Sequence, residues 1–309
     1  MFGSSVSQLL RDPVALAYVA GWRVVGKLPR RMVLKAAYCG ADWACQGGRG
    51  GEQLRRNLSR VVGPENVTRG LVRAAMRSYA RYWVEAFCLP RMARSKDLAG
   101  RLNAAVTGIA HLEASQDAGK GVILTLPHSG NWDMAGVWLV HHSGGFTTVA
   151  EKLKPEALFQ AFVDFRSSLG FRVLGHHPQP GEPGPFTHLK EVLQQGGTVA
   201  LLGERDLKQH GAGVSFFGEP ATFPAGPALL AIQTGAALHV VDAHFTPSGW
   251  GFSISEALEV TDVAETTQRI ADRFAAGIAA HPADWHMLQP LWLADLPPRY
   301  RSATTREAP

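Results

Sequence analysis

Cysteine is scarce in this chain: 309 residues hold three, Cys39, Cys45 and Cys88, with no C-x-x-C. An odd number without metal-ligand spacing excludes a disulfide framework and a cysteine-bound zinc site, and reads as buried thiols in a reducing compartment. Long uncharged apolar runs are missing too. The stretch "DPVALAYVAGWRVVGKLPRR" carries Arg23 and Lys27 inside its apolar run, so it is too interrupted to span a bilayer or to be a cleaved signal. No G-x-S-x-G elbow occurs, and Ser129 lies directly beside His128, which argues against a Ser-His-Asp hydrolase. In "GAGVSFFG" (Gly211–Gly218), Phe216 stands where a dinucleotide fingerprint needs its third glycine. His128, Asp133, His141, His142, His176 and His177 show no ligand spacing, so no metal is expected. Zinc-finger, RNP-like and helix-turn-helix signatures are likewise absent, so no nucleic-acid partner is expected.

What is present begins with an apolar fraction of 46%, ample for a large core. The charge is unevenly placed. Residues 1–100 hold 17 Lys and Arg against 6 Asp and Glu, a balance of +11, while the remainder holds 14 against 20, a balance of −6. Clustered basic residues beside apolar helices suit an anionic membrane surface. Val14, Tyr18, Trp22 and Val25 share one side of a helix that Arg23, Lys27, Arg30 and Arg31 make basic. Such a segment fits interfacial attachment, and an ordinary surface helix fits it equally well. Further on, Arg69, Arg73, Arg77 and Arg81 recur every four residues in a helix expected over Val67–Leu89, a stripe that either a solvated face or an anionic partner explains.

From about residue 104 the pattern changes. Short β-branched runs, Gly121–Leu126, Phe146–Ala150, Phe171–Leu174, Thr198–Gly203, Ala237–Phe245 and Trp250–Leu258, alternate with helical spacing near Trp132–His142, Pro155–Leu169, Thr187–Gln195, Pro224–Gly235 and Ala264–Ala280. The fold class is therefore α/β: a mostly parallel central sheet flanked by helices, with a helical, membrane-facing N-terminal region. The expected division is residues 1–100 as a basic, membrane-associating region integrated with the catalytic domain, 101–296 as the α/β core, and 297–309 as a disordered tail. The Gly175–Pro185 loop is too rich in Pro and Gly to be an element.

Ligands of open sheets collect at the C-terminal ends of strands, and His128 and Glu204 each fall just past such an end. Asp133 follows His128 in an H-x-x-x-x-D spacing, one helical turn further on, where its carboxylate can turn back towards the imidazole. A carboxylate on one ring nitrogen fixes the tautomer and leaves the other free to take a hydroxyl proton, which makes His128 a general base. Loop amides from Ser129 to Asn131 are candidate oxyanion donors, and a plain helix cap accounts for them equally. Glu204 and Asp206 flank Arg205 and also read as a loop ion pair. Phe216 and Phe217 are candidates for substrate contact, although phenylalanines in such runs are more often core.

The blocks "PHSGNWD" (Pro127–Asp133), "GERDL" (Gly203–Leu207), "VSFFGEPATFPAGPALLAIQTGA" (Val214–Ala236) and "HPADWHMLQPLW" (His281–Trp292) occur in that order. The sequence thereby resembles the bacterial lysophospholipid-type acyltransferases that include the lipid A late acyltransferases, and within them the phosphatidylinositol mannoside acyltransferases of actinobacteria. The resemblance implies transfer of a long acyl chain, typically palmitoyl, from acyl-CoA to the primary (6-) hydroxyl of a mannose on a phosphatidylinositol mannoside. It implies no cofactor and no covalent intermediate, on the cytoplasmic face of the plasma membrane. His128 matches the family's general base and Asp133 the motif's acid. Glu204 matches an acid completing a relay with the histidine, and Arg166 a basic position at the site. Arg205, Ser129, Asn131, Phe216 and Phe217 are assigned to substrate binding beside them. A monomer is expected. One departure is that lipid A enzymes commonly open with a spanning helix. Alternatives of other kinds are a late acyltransferase for another glycolipid or lysolipid, and a peripheral lipid-binding protein with no need of His128 and Glu204.

Overall fold

The computed structural model describes residues 21, 24–150, 156–175, 183–206 and 211–297. The expected interfacial side around Val14, Tyr18, Trp22 and Arg23, most of the Gly175–Pro185 loop with His176 and His177, and the tail after Pro297 lie outside the described residues. Among the described residues the helices α1 (Arg30–Ala44), α2 (Glu52–Val62), α3 (Arg69–Met92) and α4 (Leu98–Asn103) precede the sheet. Helix α3 starts where Thr68 caps it, the side-chain oxygen accepting from the Leu71 amide at 3.1 Å. No helix among the described residues is long and apolar enough to cross a membrane.

The chain then alternates: β1 (Val106–Thr107), α5 (Ile109–Asp117), β2 (Val122–Leu126), α6 (Trp132–Ser143), β3 (Phe146–Ala150), α7 (Glu156–Ser168), β4 (Phe171–Gly175), α8 (Pro185–Gln194) and β5 (Thr198–Leu202). After the hairpin β6 (Ala212–Phe216) and β7 (Glu219–Phe223) come α9 (Gly226–Thr234), β8 (Ala237–Phe245), β9 (Trp250–Ile254) and α10 (Val263–Ala280). Seven strands form one sheet in the order β1-β9-β8-β2-β5-β3-β4. Every described pairing in it is parallel except β8–β9. The mostly parallel α/β sheet expected from the alternation is present, with helices on both faces as buried parallel strands require.

Period-two alternation divides the core between those faces. Val122, Leu124 and Leu126 of β2 join a cluster with Leu89, Met134 and Trp138, while Ile123 joins Leu238, Ile270 and Phe274 on the other side. A smaller cluster, with Cys45, Leu54, Leu58 and Val72, lies among the N-terminal helices.

Three expectations change. Cys45 and Cys88 are buried free thiols, but Cys39 is exposed on α1. The arginine stripe of α3 is largely paired within the chain: Arg73 and Arg77 stay half-exposed but both bind Asp42 of α1, while Arg81 turns inward, donating to Glu85 at 2.9 Å and to the carbonyls of Thr246 and Gly249. Asp42 sits so well between its two guanidinium groups that its carboxyl falls to about 2. Residues 212–223, which gave no strand signal, form a hairpin because Phe217 and Gly218 adopt φ of 51° and 78°, the left-handed turn that strand twist favours.

Candidate active site

Strands β2 and β5 are parallel neighbours, and their register places Leu126 opposite Leu202. Two residues further along each chain, His128 and Glu204 emerge side by side. The Gly203 amide continues the ladder to the Leu126 carbonyl at 2.9 Å, and a Cβ at Gly203 would lie 2.3 Å from Thr125 Oγ1, so the crossing needs glycine there. Glu204 is fully buried. Its Oε1 lies 2.8 Å from His128 Nδ1 and accepts from the His128 backbone amide at 2.5 Å. A carboxylate only accepts, so Nδ1 carries the proton and Nε2 is left with its lone pair. The His128 side chain keeps 21% of its exposure, open enough to meet a substrate.

Asp133 does not turn back to the imidazole. It lies in the first turn of α6, where its Oδ1 accepts from Arg166 Nε at 2.8 Å and its Oδ2 from Arg166 Nη2 at 3.2 Å and the Tyr82 hydroxyl at 3.1 Å. The helix direction explains the correction: Asp133 faces α7, whereas Glu204 is carried to His128 by sheet register. Burial pulls the Arg166 guanidinium down, but the Asp133 charge more than reverses this and holds it above its ordinary range. Burial, reinforced by Asp133, pushes the Tyr82 phenol up.

The loop between His128 and α6 is held internally. The Ser129 amide donates to the Pro127 carbonyl at 2.7 Å and the Gly130 amide to the Asp284 carbonyl at 2.9 Å, so neither is a free oxyanion donor. Gly130 has φ +57°, and a Cβ there would lie 2.7 Å from the Ala243 carbonyl carbon. Asn131 caps α6 through Oδ1, which accepts from the Met134 amide at 3.0 Å. The amides of Trp132 and Asp133, at the start of the helix, have no intrahelical acceptor and remain as the positive end of its dipole. Ser129 Oγ is buried without a hydrogen-bond partner among the described residues.

Sequence reasoning gave no role to a second group of residues. Glu85 of α3, fully buried, accepts from Asn131 Nδ2 at 2.8 Å and from Trp250 Nε1 at 2.7 Å. The His281–Trp292 block supplies the other support: the His286 amide donates to the His128 carbonyl at 2.7 Å, and Ser129 bridges Trp285. Ser78 gives its single hydroxyl proton to Asp284 at 2.6 Å, so its contact with His286 Nε2 at 3.0 Å is donated by the imidazole. Burial, with the nearby His128, drives His286 down to about 3, so it stays neutral. An acid inside "YWVEAFCL" is the one local signal that could have exposed Glu85.

Beside the loop, between α6 and the sheet, opens a cavity of about 230 Å³. Its walls are mostly apolar, including Leu124, Leu126, Ala135, Leu139, Phe252 and Ile254, with Tyr82, Trp132, Asp133 and Arg166 also lining it. Phe216 and Phe217 do not line it. Phe216 is fully buried, stacked on Trp292 and edge-on to Phe223, and Phe217 packs on that same core from the hairpin turn. The substrate contact expected of both is corrected to core packing. Arg205 reaches Gln289 at 2.6 Å and Asp206 takes the Gly211 amide at 2.7 Å, so the expected loop ion pair is replaced by these contacts. Among the described residues no cluster of His, Cys, Asp and Glu is arranged to hold a metal.

The family model for bacterial lipid A biosynthesis acyltransferases matches residues 4–294. The chain is 52% identical over 294 residues to a phosphatidylinositol mannoside acyltransferase of Mycobacterium tuberculosis (strain ATCC 25618 / H37Rv), covering 94% of this chain and 92% of the relative. It is 53% identical over 285 residues to a phosphatidylinositol mannoside acyltransferase of Mycolicibacterium smegmatis (strain ATCC 700084 / mc(2)155), covering 91% and 92%.

Proposed function

The chain belongs to the bacterial lipid A biosynthesis acyltransferase family and is an acyltransferase of phosphatidylinositol mannoside type by homology; from that premise we propose its donor, acceptor and chemistry. It moves a long-chain acyl group, palmitoyl, from acyl-CoA to the 6-hydroxyl of a mannose on phosphatidylinositol mannoside. The observation that carries the reading is the His128–Glu204 pair, with Nε2 unprotonated, next to an apolar cavity.

A thioester is already activated, so the enzyme has to deprotonate an alcohol and place it. Nε2 of His128 takes the hydroxyl proton as the oxygen attacks the thioester carbon, and Glu204 stabilises the imidazolium that forms. The tetrahedral oxyanion lies near the positive end of α6. Its collapse expels the CoA thiolate, which takes the proton from Nε2, and the ester departs. The acyl chain occupies the cavity, where each buried methylene is stabilised by about 0.8 kcal/mol. Arg166 and Asp133 brace α7 against α6 beside that chain.

The protein works as a peripheral monomer on the cytoplasmic face of the plasma membrane. Support for this comes from α1, whose outer face exposes Arg31, Met32, Lys35, Ala36, Cys39 and Trp43, the last at 84%. Apolar and basic residues together on one solvent face suit anionic headgroups. The test is mass spectrometry of products after incubation with mixed acyl-CoAs and purified phosphatidylinositol mannosides. A mannose-linked palmitoyl ester is expected; free fatty acid alone, or an ester on another lipid added in competition, would overturn the acceptor assignment.

A further inference from the structure

Resting on that acyltransferase reading, we propose that Glu85 is a positioning residue for the His128 loop, and that Arg30 makes this positioning respond to how α1 is seated. The carboxylate lies in the middle of α3 with no solvent exposure and takes four donors. Oε1 receives Arg30 Nη2 and, at 2.9 Å, Arg81 Nε; Oε2 receives Asn131 Nδ2 and Trp250 Nε1. A buried carboxylate remains charged only with such partners, so its place is dictated by where they are. Asn131 is gripped at both ends, by Glu85 at Nδ2 and by the Met134 amide at Oδ1. Only Ser129 and Gly130 separate it from His128. A displacement of Glu85 is thus passed to the base through three residues.

Three of the four donors are fixed to the catalytic body. Arg81 is tied to the Thr246 and Gly249 carbonyls and lies 4.0 Å over the Phe245 ring, Trp250 is in β9, and Asn131 caps α6. Arg30 alone among them comes from α1, as its first residue. It is one-third exposed, and its Nε is buried without a hydrogen-bond partner among the described residues. The other end of α1 is tied to α3 by Asp42 between Arg73 and Arg77. The Arg30 end is held to α3 as well, the Leu28 carbonyl accepting from Arg91 Nη1 at 2.8 Å, so it is a change in how α1 seats along α3, not a free tilt, that moves the Arg30 charge relative to Glu85. The helix that carries exposed Met32 and Trp43 therefore also reaches the residue that seats the base. A lipid surface that seats α1 would be read at His128.

The experiment is a double-mutant cycle on the full chain, with kcat and the acyl-CoA KM read separately. Arg30→Gln is expected to lower kcat several-fold at unchanged KM and melting temperature, and Arg30→Lys to recover most of it. Glu85→Gln is expected to lower kcat by about 10²-fold, the scale of a small misplacement of a reacting group. The double variant should lose no more than Glu85→Gln, because Arg30 acts through Glu85. Additive losses, or a loss confined to KM, would overturn the proposal. Should Glu85→Gln fail to fold, the Arg30 pair and hydrogen exchange decide. Amides 128–134 should exchange faster in substrate-free Arg30→Gln than in wild type, and unchanged exchange overturns the coupling. That readout needs no turnover, so a wild type that transferred no acyl group would refute the function above while the coupling was still judged.

Discussion

The N-terminal helices and the strand-end loops both concentrate charged and polar groups, yet they satisfy them differently. On α1 and α3 the arginines find carboxylates, with Asp42 between Arg73 and Arg77 and Glu85 between Arg30 and Arg81, and only Arg30 Nε and Arg73 Nε there are buried without a partner among the described residues. At the strand ends, Thr125 Oγ1, Ser129 Oγ, Glu204 Oε2, Trp285 Nε1 and His286 Nδ1 are all buried without a hydrogen-bond partner among the described residues. Orphaned buried polar atoms cost about 1–3 kcal/mol each, so a cluster of them needs a reason, and a reacting site is one. The difference teaches that a run of like charge in a sequence locates a scaffold as readily as a binding face, whereas it is a cluster of unmet hydrogen-bonding groups around an imidazole, not a single orphan, that points to chemistry.

His128→Ala probes the contrast most strongly. Removing the base should lower kcat by about 10²–10⁴-fold with an unchanged melting temperature, as seen by single-turnover kinetics and thermal unfolding. Wild-type turnover in the folded variant would erase the distinction between the two regions.

Next in size is the separation of Glu204 from Asp133. Glu204→Gln keeps the shape but removes the charge facing Nδ1, and kcat should fall by about 10²-fold at unchanged KM. Asp133→Asn instead strands the Arg166 guanidinium, so stability should fall by about 3 kcal/mol in urea titrations while the folded fraction keeps more activity than Glu204→Gln. The reverse ranking would return the relay to Asp133.

A third variant tests whether an orphaned atom by itself marks the site. Asp242 of β8 also leaves Oδ1 without a hydrogen-bond partner among the described residues, but it is pressed against Gly277 of α10, and burial raises its carboxyl to about 6. The folded protein therefore holds that proton longer than the unfolded chain, whose value is about 3.9, and stability is lost as pH rises between these values. Asp242→Asn should be more stable than wild type at pH 7 by on the order of 2 kcal/mol, equal to it at pH 4 or below, and unchanged in kcat. A fall in kcat would extend the reacting region to α10.

The smallest effect belongs to the outer face of α1. Lys35→Gln with Trp43→Ala should weaken co-sedimentation with anionic vesicles by about tenfold, given roughly 1 kcal/mol per basic contact and a further loss from the indole. Turnover of a short-chain soluble acceptor should be spared. Equal binding to neutral and anionic vesicles at all salt concentrations would remove the electrostatic part.

Much of this was legible in the sequence, for reasons that differ by element. The run for β2 stands out because a strand buried on both faces is written as a nearly unbroken apolar segment, those for β3, β5 and β8 because β-branched and apolar residues cluster in them, and the helix limits fall close to the observed ones. His128 and Glu204 stand out because each follows such a run directly. Their pairing is offered only by the family resemblance and not by local spacing, because register is a long-range property, and H-x-x-x-x-D drew Asp133 forward by proximity alone. The hairpin was hidden by Pro220 inside β7, a residue that argues against a strand, and by a turn with Phe217 at positive φ. Strand β1, two residues long, leaves no periodic trace. Ser78 is brought to Asp284 and His286 across more than 200 residues of chain, and Glu85 to Asn131 and Trp250 across other long separations, beyond any local pattern.

The pairing of Leu126 with Leu202 has one more consequence, for turnover. A base and its acid delivered by adjacent strands of one sheet have no hinge between them, so their pairing stands assembled before either substrate arrives, and what α1 adjusts is the loop that aims it. No step that brings this pair together is then needed, and on the proposed reaction the events left to limit turnover are arrival of the lipid acceptor and departure of the thiol carrier. Such an enzyme would respond to membrane composition and to product concentration more than to any motion of its own centre.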